Sequence, residues 1–172
     1  MPMFKITTLG CKVNQAESDQ IAAEMAAASW QPVDDRQNAD ICIINTCTVT
    51  RKASMQSRQA IRRAMRTYPN ARILVTGCYA QTDPETVNEI IGPDGVIAPA
   101  DKDKIAAVAC GTEIPAAAAV ESEWVSGDRH PSLRSDPLTA PRTRPFLKIQ
   151  DGCDAFCTYC IVPHARGRSR SL

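Results

Sequence analysis

Three observations predict an α/β fold, an open parallel sheet with helices on its faces. Short β-branched or apolar runs alternate with helix-like segments along residues 4–110. One of these runs, ADICIINT at 39–46, holds Ile41, Cys42, Ile43 and Ile44 in succession, as a strand covered on both faces requires. The composition is that of a folded protein, with 44% hydrophobic and 23% charged residues in 172.

The elements follow in order. Residues 4–9 (FKITTL) read as a first strand, ended by Gly10. Residues 15–29 (QAESDQIAAEMAAAS) are rich in helix formers, and Ile21 and Met25 share one face at i, i+4. The buried run at 39–46 is the second strand, and 53–68 a second helix stopped by Pro69. Residues 72–76 (RILVT) give a third strand, and 84–91 a helix that Pro84 opens at its first turn. Residues 95–98 are expected as a fourth strand and 101–110 as a fourth helix. The rhythm is that of flavodoxin- or Rossmann-like sheets. After Gly111 it stops: residues 112–145 contain five of the twelve prolines and the run Ala116, Ala117, Ala118, Ala119, and read as a linker. Order returns at 146–149 (FLKI), expected as a strand. The expected division is therefore 1–111, 112–145 and 146–172.

Net charge is +1, from 20 basic and 19 acidic residues, which excludes a large uniform basic field. A local patch remains. Arg58, Arg62 and Arg66 recur at i, i+4, i+8 on one helix face, near Arg51, Lys52 and Arg63, and are candidates for meeting RNA phosphates, with a plain solvated face as the alternative. No secretory signal opens the chain and no apolar run approaches the ~18–20 residues that span a bilayer, so a cytoplasmic location is expected. In a reducing compartment, clustered cysteines bind metals or do redox chemistry more often than they form disulfides.

Eight cysteines are present, and six fall into two patterns. Cys153, Cys157 and Cys160 form C-x3-C-x2-C in one loop. Three thiolates suit a cubane iron–sulfur cluster with one iron left open. A zinc site would need a fourth ligand, such as His164. Cys11, Cys47 and Cys78 follow the first, second and third predicted strands, 36 and 31 positions apart. Parallel strands end on one edge, where ligands bind, so topology alone makes a second three-thiolate site plausible beside the alternative of buried filler. Cys42 and Cys110 break the pattern and read as ordinary thiols. Asn14 and Asn45, beside cluster cysteines, are candidates to donate to sulfur or to cap turns.

The spacing C-x3-C-x2-C and Tyr159 before its last cysteine resemble the signature loop of radical S-adenosylmethionine enzymes. Together with TLGCKVNQAES at 8–18, INTCTVT at 44–50 and CDAFCTYCIVPHARGRSRS at 153–171, they resemble the methylthiotransferase family. Lys12, Val13, Asn14 and Gln15, then Cys47-Thr48-Val49-Thr50 and Ser57-Arg58-Gln59, resemble the branch acting on N6-threonylcarbamoyladenosine at position 37 of tRNA; Ala16 departs from the aromatic residue common there. The resemblance implies two 4Fe-4S clusters, one on Cys11, Cys47 and Cys78, the other on Cys153, Cys157 and Cys160 with S-adenosylmethionine at its open iron. It implies a radical reaction that places a methylthio group on C2 of the adenine, with tRNA and an electron donor as partners. Beyond the cluster ligands no catalytic residue is assigned. Arg166, Arg168 and Arg170 would face either S-adenosylmethionine or RNA. An isopentenyladenosine branch, an iron–sulfur electron-transfer module and a zinc-stabilised RNA-binding domain are the alternatives. The barrel of such enzymes needs ~200 further residues, so an inactive N-terminal fragment is expected, with 146–172 poorly anchored because a lone strand cannot bury both faces.

Overall fold

A computed structural model describes residues 1–34, 37–111 and 146–171. Its elements are β1 (Met3–Thr8), α1 (Lys12–Ala27), β2 (Gln31–Pro32), β3 (Ile41–Thr46), α2 (Arg51–Thr67), β4 (Arg72–Gly77), α3 (Cys78–Thr82), α4 (Pro84–Ile91), α5 (Ile105–Ala109), β5 (Gln150–Asp151), α6 (Val162–Arg166) and β6 (Arg170–Ser171). The main sheet has the order β2-β1-β3-β4, with every neighbouring pair parallel. The expected helix-flanked parallel sheet is therefore present.

The alternation of side chains along β3 explains its unbroken apolar run. Ile41 and Ile43 enter the core beneath α1 and α5, with Phe4, Met25 and Leu74. Cys42 and Ile44 enter the opposite core beneath α2 and α4, with Ile61, Val75 and Val87. Ile43 and Ile44 are both fully buried, and each such side chain contributes about 1.5–3 kcal/mol. The helices begin where local chemistry allows. Thr50 caps α2 by accepting from the Ala53 N–H at 3.1 Å, and Asp83 caps α4, which has Pro84 in its first turn.

Several expectations change. Residues 95–98 reach the sheet only through one parallel bridge, Val75 to Val96, because the 3₁₀ turn Pro93–Gly95 leaves too little extended chain for a ladder. The expected fourth helix opens as the 3₁₀ turn Pro99–Lys104 and becomes α-helical only at α5. Two-residue β2 and five-residue α3 and α6 are too short to leave a period in the sequence. Residues 146–149 are not a strand: Leu147 and Ile149 stay exposed, and only Gln150 and Asp151 pair, antiparallel to Ser171 and Arg170. Nor is this segment poorly anchored, since α6 packs on α3 and charged side chains tie it to α1. The linker expected at 112–145 lies outside the described residues. Among the described residues no helix is long and apolar enough to cross a membrane.

Candidate functional site

The C-terminal ends of β1, β3 and β4 lie on one edge, and each is followed by a cysteine. Two glycines set how closely these ends approach. Gly10 has φ +96°, and a Cβ there would sit 2.7 Å from the Cys47 Sγ. Gly77 has φ +97°, and a Cβ there would sit 2.5 Å from the Thr46 carbonyl oxygen and 2.6 Å from Asn45 Oδ1. Only glycine combines that dihedral with that space.

Cys11 is exposed at the N-cap of α1, and its thiol donates to Asn14 Oδ1 across 3.8 Å. Cys47 is buried, and Ser57 of α2 clasps its backbone: the Ser57 hydroxyl accepts from the Cys47 N–H at 3.1 Å and donates to the Cys47 carbonyl at 2.8 Å. Cys78 is buried as the first residue of α3. Burial pushes its thiol above the ordinary range, opposed by the nearby cations of Arg166 and Lys102, while Cys47 lies close enough to reinforce the rise.

The amide nitrogens of Asn14 and Asn45 donate to oxygen rather than to sulfur, and so brace this edge. The Asn14 amide donates to the Leu9 carbonyl at 2.8 Å and the Thr46 carbonyl at 2.9 Å, so it joins the ends of β1 and β3. The Asn45 amide donates to the Asn14 carbonyl at 2.9 Å and to Ser18 Oγ at 3.1 Å. Asn14→Ala is expected to cost about 2–3 kcal/mol, because a buried and a half-buried carbonyl lose their donor, and to speed alkylation of Cys47; urea unfolding and thiol trapping read the two effects.

The second cysteine loop is folded back on itself. The Cys153 N–H donates to the Gly167 carbonyl at 3.0 Å, and the Cys160 N–H to the Cys157 carbonyl at 2.9 Å. Cys157 is exposed, while Cys153 and Cys160 are half-buried. Tyr159 is 90% exposed, so it is not core packing. His164 meets the Phe156 ring edge-on at 6.2 Å. Among the described residues no three His, Cys, Asp or Glu side chains converge as a ready metal site, and no disulfide joins any cysteine. Cys42 is a core thiol and Cys110 an exposed one.

Of the arginine face, Arg62 and Arg66 are exposed, whereas Arg58 is engaged. Its guanidinium donates to the Tyr79 hydroxyl at 3.0 Å and lies over that ring, and the Tyr79 hydroxyl donates to Asp83 at 2.8 Å. Arg166 turns away from solvent toward acidic and amide groups.

Sequence reasoning missed the acid at the centre of this edge. Glu17 is buried on α1, with Lys102, Lys148 and Arg166 around its carboxylate. Burial alone would raise its pKa; the three cations outweigh that and hold the carboxyl far below the usual range. The signal that was available is its i, i+3 spacing from Asn14, which puts both side chains on the helix face that meets the sheet edge.

Curated relatives align with nearly the whole chain. The threonylcarbamoyladenosine tRNA methylthiotransferase MtaB of Bacillus subtilis (strain 168) is 42% identical over 164 residues, covering 95% of this chain and 36% of the relative. The protein of the same name from Aquifex aeolicus (strain VF5) is 36% identical over 169 residues, covering 96% and 40%. The tRNA-2-methylthio-N(6)-dimethylallyladenosine synthase of Rhodopirellula baltica is 33% identical over 181 residues, covering 94% and 37%. The chain thus spans well under half the length of these relatives, and the resemblance read from the cysteine motifs is borne out as one to their N-terminal portion. Residues 3–98, the β1-to-β4 sheet with its cysteine-bearing edge, match the uncharacterized protein family UPF0004, and the chain belongs to that family.

Proposed function

We propose that this chain carries the two cysteine sites of a cytoplasmic tRNA methylthiotransferase acting at C2 of N6-threonylcarbamoyladenosine at position 37. The observation that carries the reading is the placement of Cys11, Cys47 and Cys78 after three neighbouring parallel strands, with the Cys153, Cys157 and Cys160 loop docked beside them. On this reading residues 1–111 form one unit, 112–145 a linker and 146–172 the start of a radical S-adenosylmethionine unit.

The donor chemistry fits the implied groups. Two sets of three unpaired thiols suit two 4Fe-4S clusters, each with one iron left for another ligand. Cys11, Cys47 and Cys78 would hold one, and Cys153, Cys157 and Cys160 the other with S-adenosylmethionine. When bound, these groups supply the one-electron chemistry, the sulfur and the methyl group. The chain's own residues fix the ligands: Ser57 holds the Cys47 backbone, Asn14 joins the loops bearing Cys11 and Cys47, and burial around Cys47 and Cys78 keeps water out. Arg62 and Arg66, with Arg58 braced on Tyr79, present charge to tRNA phosphates. An electron donor completes the set of partners.

Iron and sulfide analysis after anaerobic reconstitution tests the reading. About eight irons per chain are expected, falling to about four when either triad is replaced by Ala. Zinc without iron would discard it. Reductive cleavage of S-adenosylmethionine separates this enzyme from an electron carrier. The relative named as a dimethylallyladenosine synthase favours a second substrate, the isopentenyl-type adenosine. Nucleoside analysis of tRNA from cells lacking the chain distinguishes the two by which methylthio nucleoside disappears.

A further inference from the structure

The segment 146–171 has little apolar means of staying on the sheet. Leu147 and Ile149 are exposed, α6 is a single turn buried only through Pro163 and Ala165, and β5 and β6 pair with each other rather than with the main sheet. Apart from the Phe146 ring under Lys12 of α1, at 5.5 Å, what crosses to the sheet edge is charge. Arg166 Nη1 donates to Glu17 Oε1 and to Asp151 Oδ1, each at 2.8 Å. Its Nη2 donates to Asn14 Oδ1 at 2.5 Å and to Glu17 Oε2 at 3.3 Å. Lys148 Nζ donates to Glu17 Oε1 at 2.9 Å and to Asp151 Oδ2 at 2.8 Å. Lys102, from the sheet side, completes the neutralisation of Glu17 at 2.5 Å.

Arg166 and Lys148 both bond Glu17 and Asp151, but Arg166 also bonds Asn14, the residue that accepts from Cys11 and joins the β1 and β3 ends. On its own side it follows the Cys160 loop, on the helix that packs against α3, which Cys78 opens. A planar guanidinium satisfies two acceptors per edge in fixed directions, which an ammonium does not. The glutamate and aspartate are buried or half-buried, so these bonds are shielded from water in a way that surface pairs are not.

We propose that Arg166 is a positioning residue: gripped by Glu17 and Asn14 on α1 and by Asp151 on β5, it latches the Cys153–Cys160 loop onto the sheet edge that bears Cys11, Cys47 and Cys78. The latch is a property of the polypeptide itself. Its consequence, that two clusters are held at a fixed separation, rests on the function proposed above.

The test uses the reduced, metal-free 172-residue chain. Arg166→Gln is expected to speed amide hydrogen exchange in residues 150–171 about tenfold or more, leaving β3 and β4 protected. Alkylation of Cys78 by iodoacetamide is expected to accelerate as α6 lifts from α3, and Arg166→Lys to fall between wild type and Arg166→Gln in both measures. Unchanged exchange and alkylation would overturn the latch. So would equal loosening of β3 and β4, which would make Arg166 a residue of general stability. If Arg166→Gln does not fold, Asp151→Asn, altered on the docked side only, decides by the same two measures. Because no metal is loaded, failure here leaves the cluster proposal intact, and absence of iron on reconstitution leaves the latch intact.

Discussion

Gly77→Ala is expected to lower stability by about 4 kcal/mol, read as a fall in the urea midpoint with an unchanged slope. Two independent effects add. At φ +97° and ψ −172° the Gly77 backbone lies in a region that is essentially closed to residues with a Cβ. The new methyl would also meet rigid partners, the Thr46 backbone nitrogen and carbonyl oxygen, and neither can rotate away. Thr46 is itself held, since its hydroxyl donates to the Thr76 carbonyl at 2.6 Å. Against a typical total of about 5–15 kcal/mol, such a loss leaves a chain near the edge of folding. Gly10→Ala would meet the Cys47 Cβ and Sγ, each at 2.7 Å, at φ +96°. The Sγ can rotate aside but the Cβ cannot, so the loop bearing Cys47 would have to shift and the thiol's position would suffer first.

Glu17→Ala is expected to cost about 3–5 kcal/mol, since among the described residues it leaves Lys148 and Arg166 sharing one carboxylate, Asp151, and Lys102 with no ion-pair partner. Lys102 is the worst placed. Burial already pushes its pKa down, and Glu17 is the main influence that opposes this. Calorimetry or urea unfolding measures the loss, and hydrogen exchange should place it at α1 and at residues 150–171. The pH dependence follows from the sign of the Glu17 shift. A carboxyl whose folded pKa is depressed contributes stability that is complete above the unfolded value of about 4.3 and is lost as pH falls toward the folded value. The advantage of wild type over Glu17→Gln should therefore be constant from neutral pH down to about 4.3 and shrink only in stronger acid. An advantage that faded near neutrality would contradict the ion cluster.

What the sequence reveals here depends on how far apart interacting residues lie along the chain. β3 announces itself because both of its faces are covered, so four apolar residues stand together. Helix α4 coincides with its expected bounds because Pro84 and Gly92 punctuate it. The three cysteines after strands could be placed on one edge by topology alone. By contrast, α3 has five residues and no room for a period. Residues 146–149 carry Phe146, Leu147 and Ile149 yet join no ladder among the described residues, since hydrophobicity proposes a strand and only a partner strand makes one. Glu17 was missed for a different reason: its spacing from Asn14 places it on the inward helix face, but Arg166 is 149 positions away and Lys102 85, so nothing local names its partners. Arg58 read as one of three equivalent arginines, and only the fold brings Tyr79 and Asp83 beneath it.

The same separations impose an order of assembly. During synthesis the chain is made from the N-terminus, so β1, α1, β3 and β4 are complete long before residue 166 is added. Glu17 does not wait alone in that interval, because Lys102 belongs to the earlier part and already neutralises it. Closing the contact with Arg166 then joins the ends of a long stretch of chain, whose entropic cost grows only slowly with length. Sheet formation and docking of the second cysteine loop are thus separable stages, and the loop's late arrival leaves the edge bearing Cys11, Cys47 and Cys78 open until then.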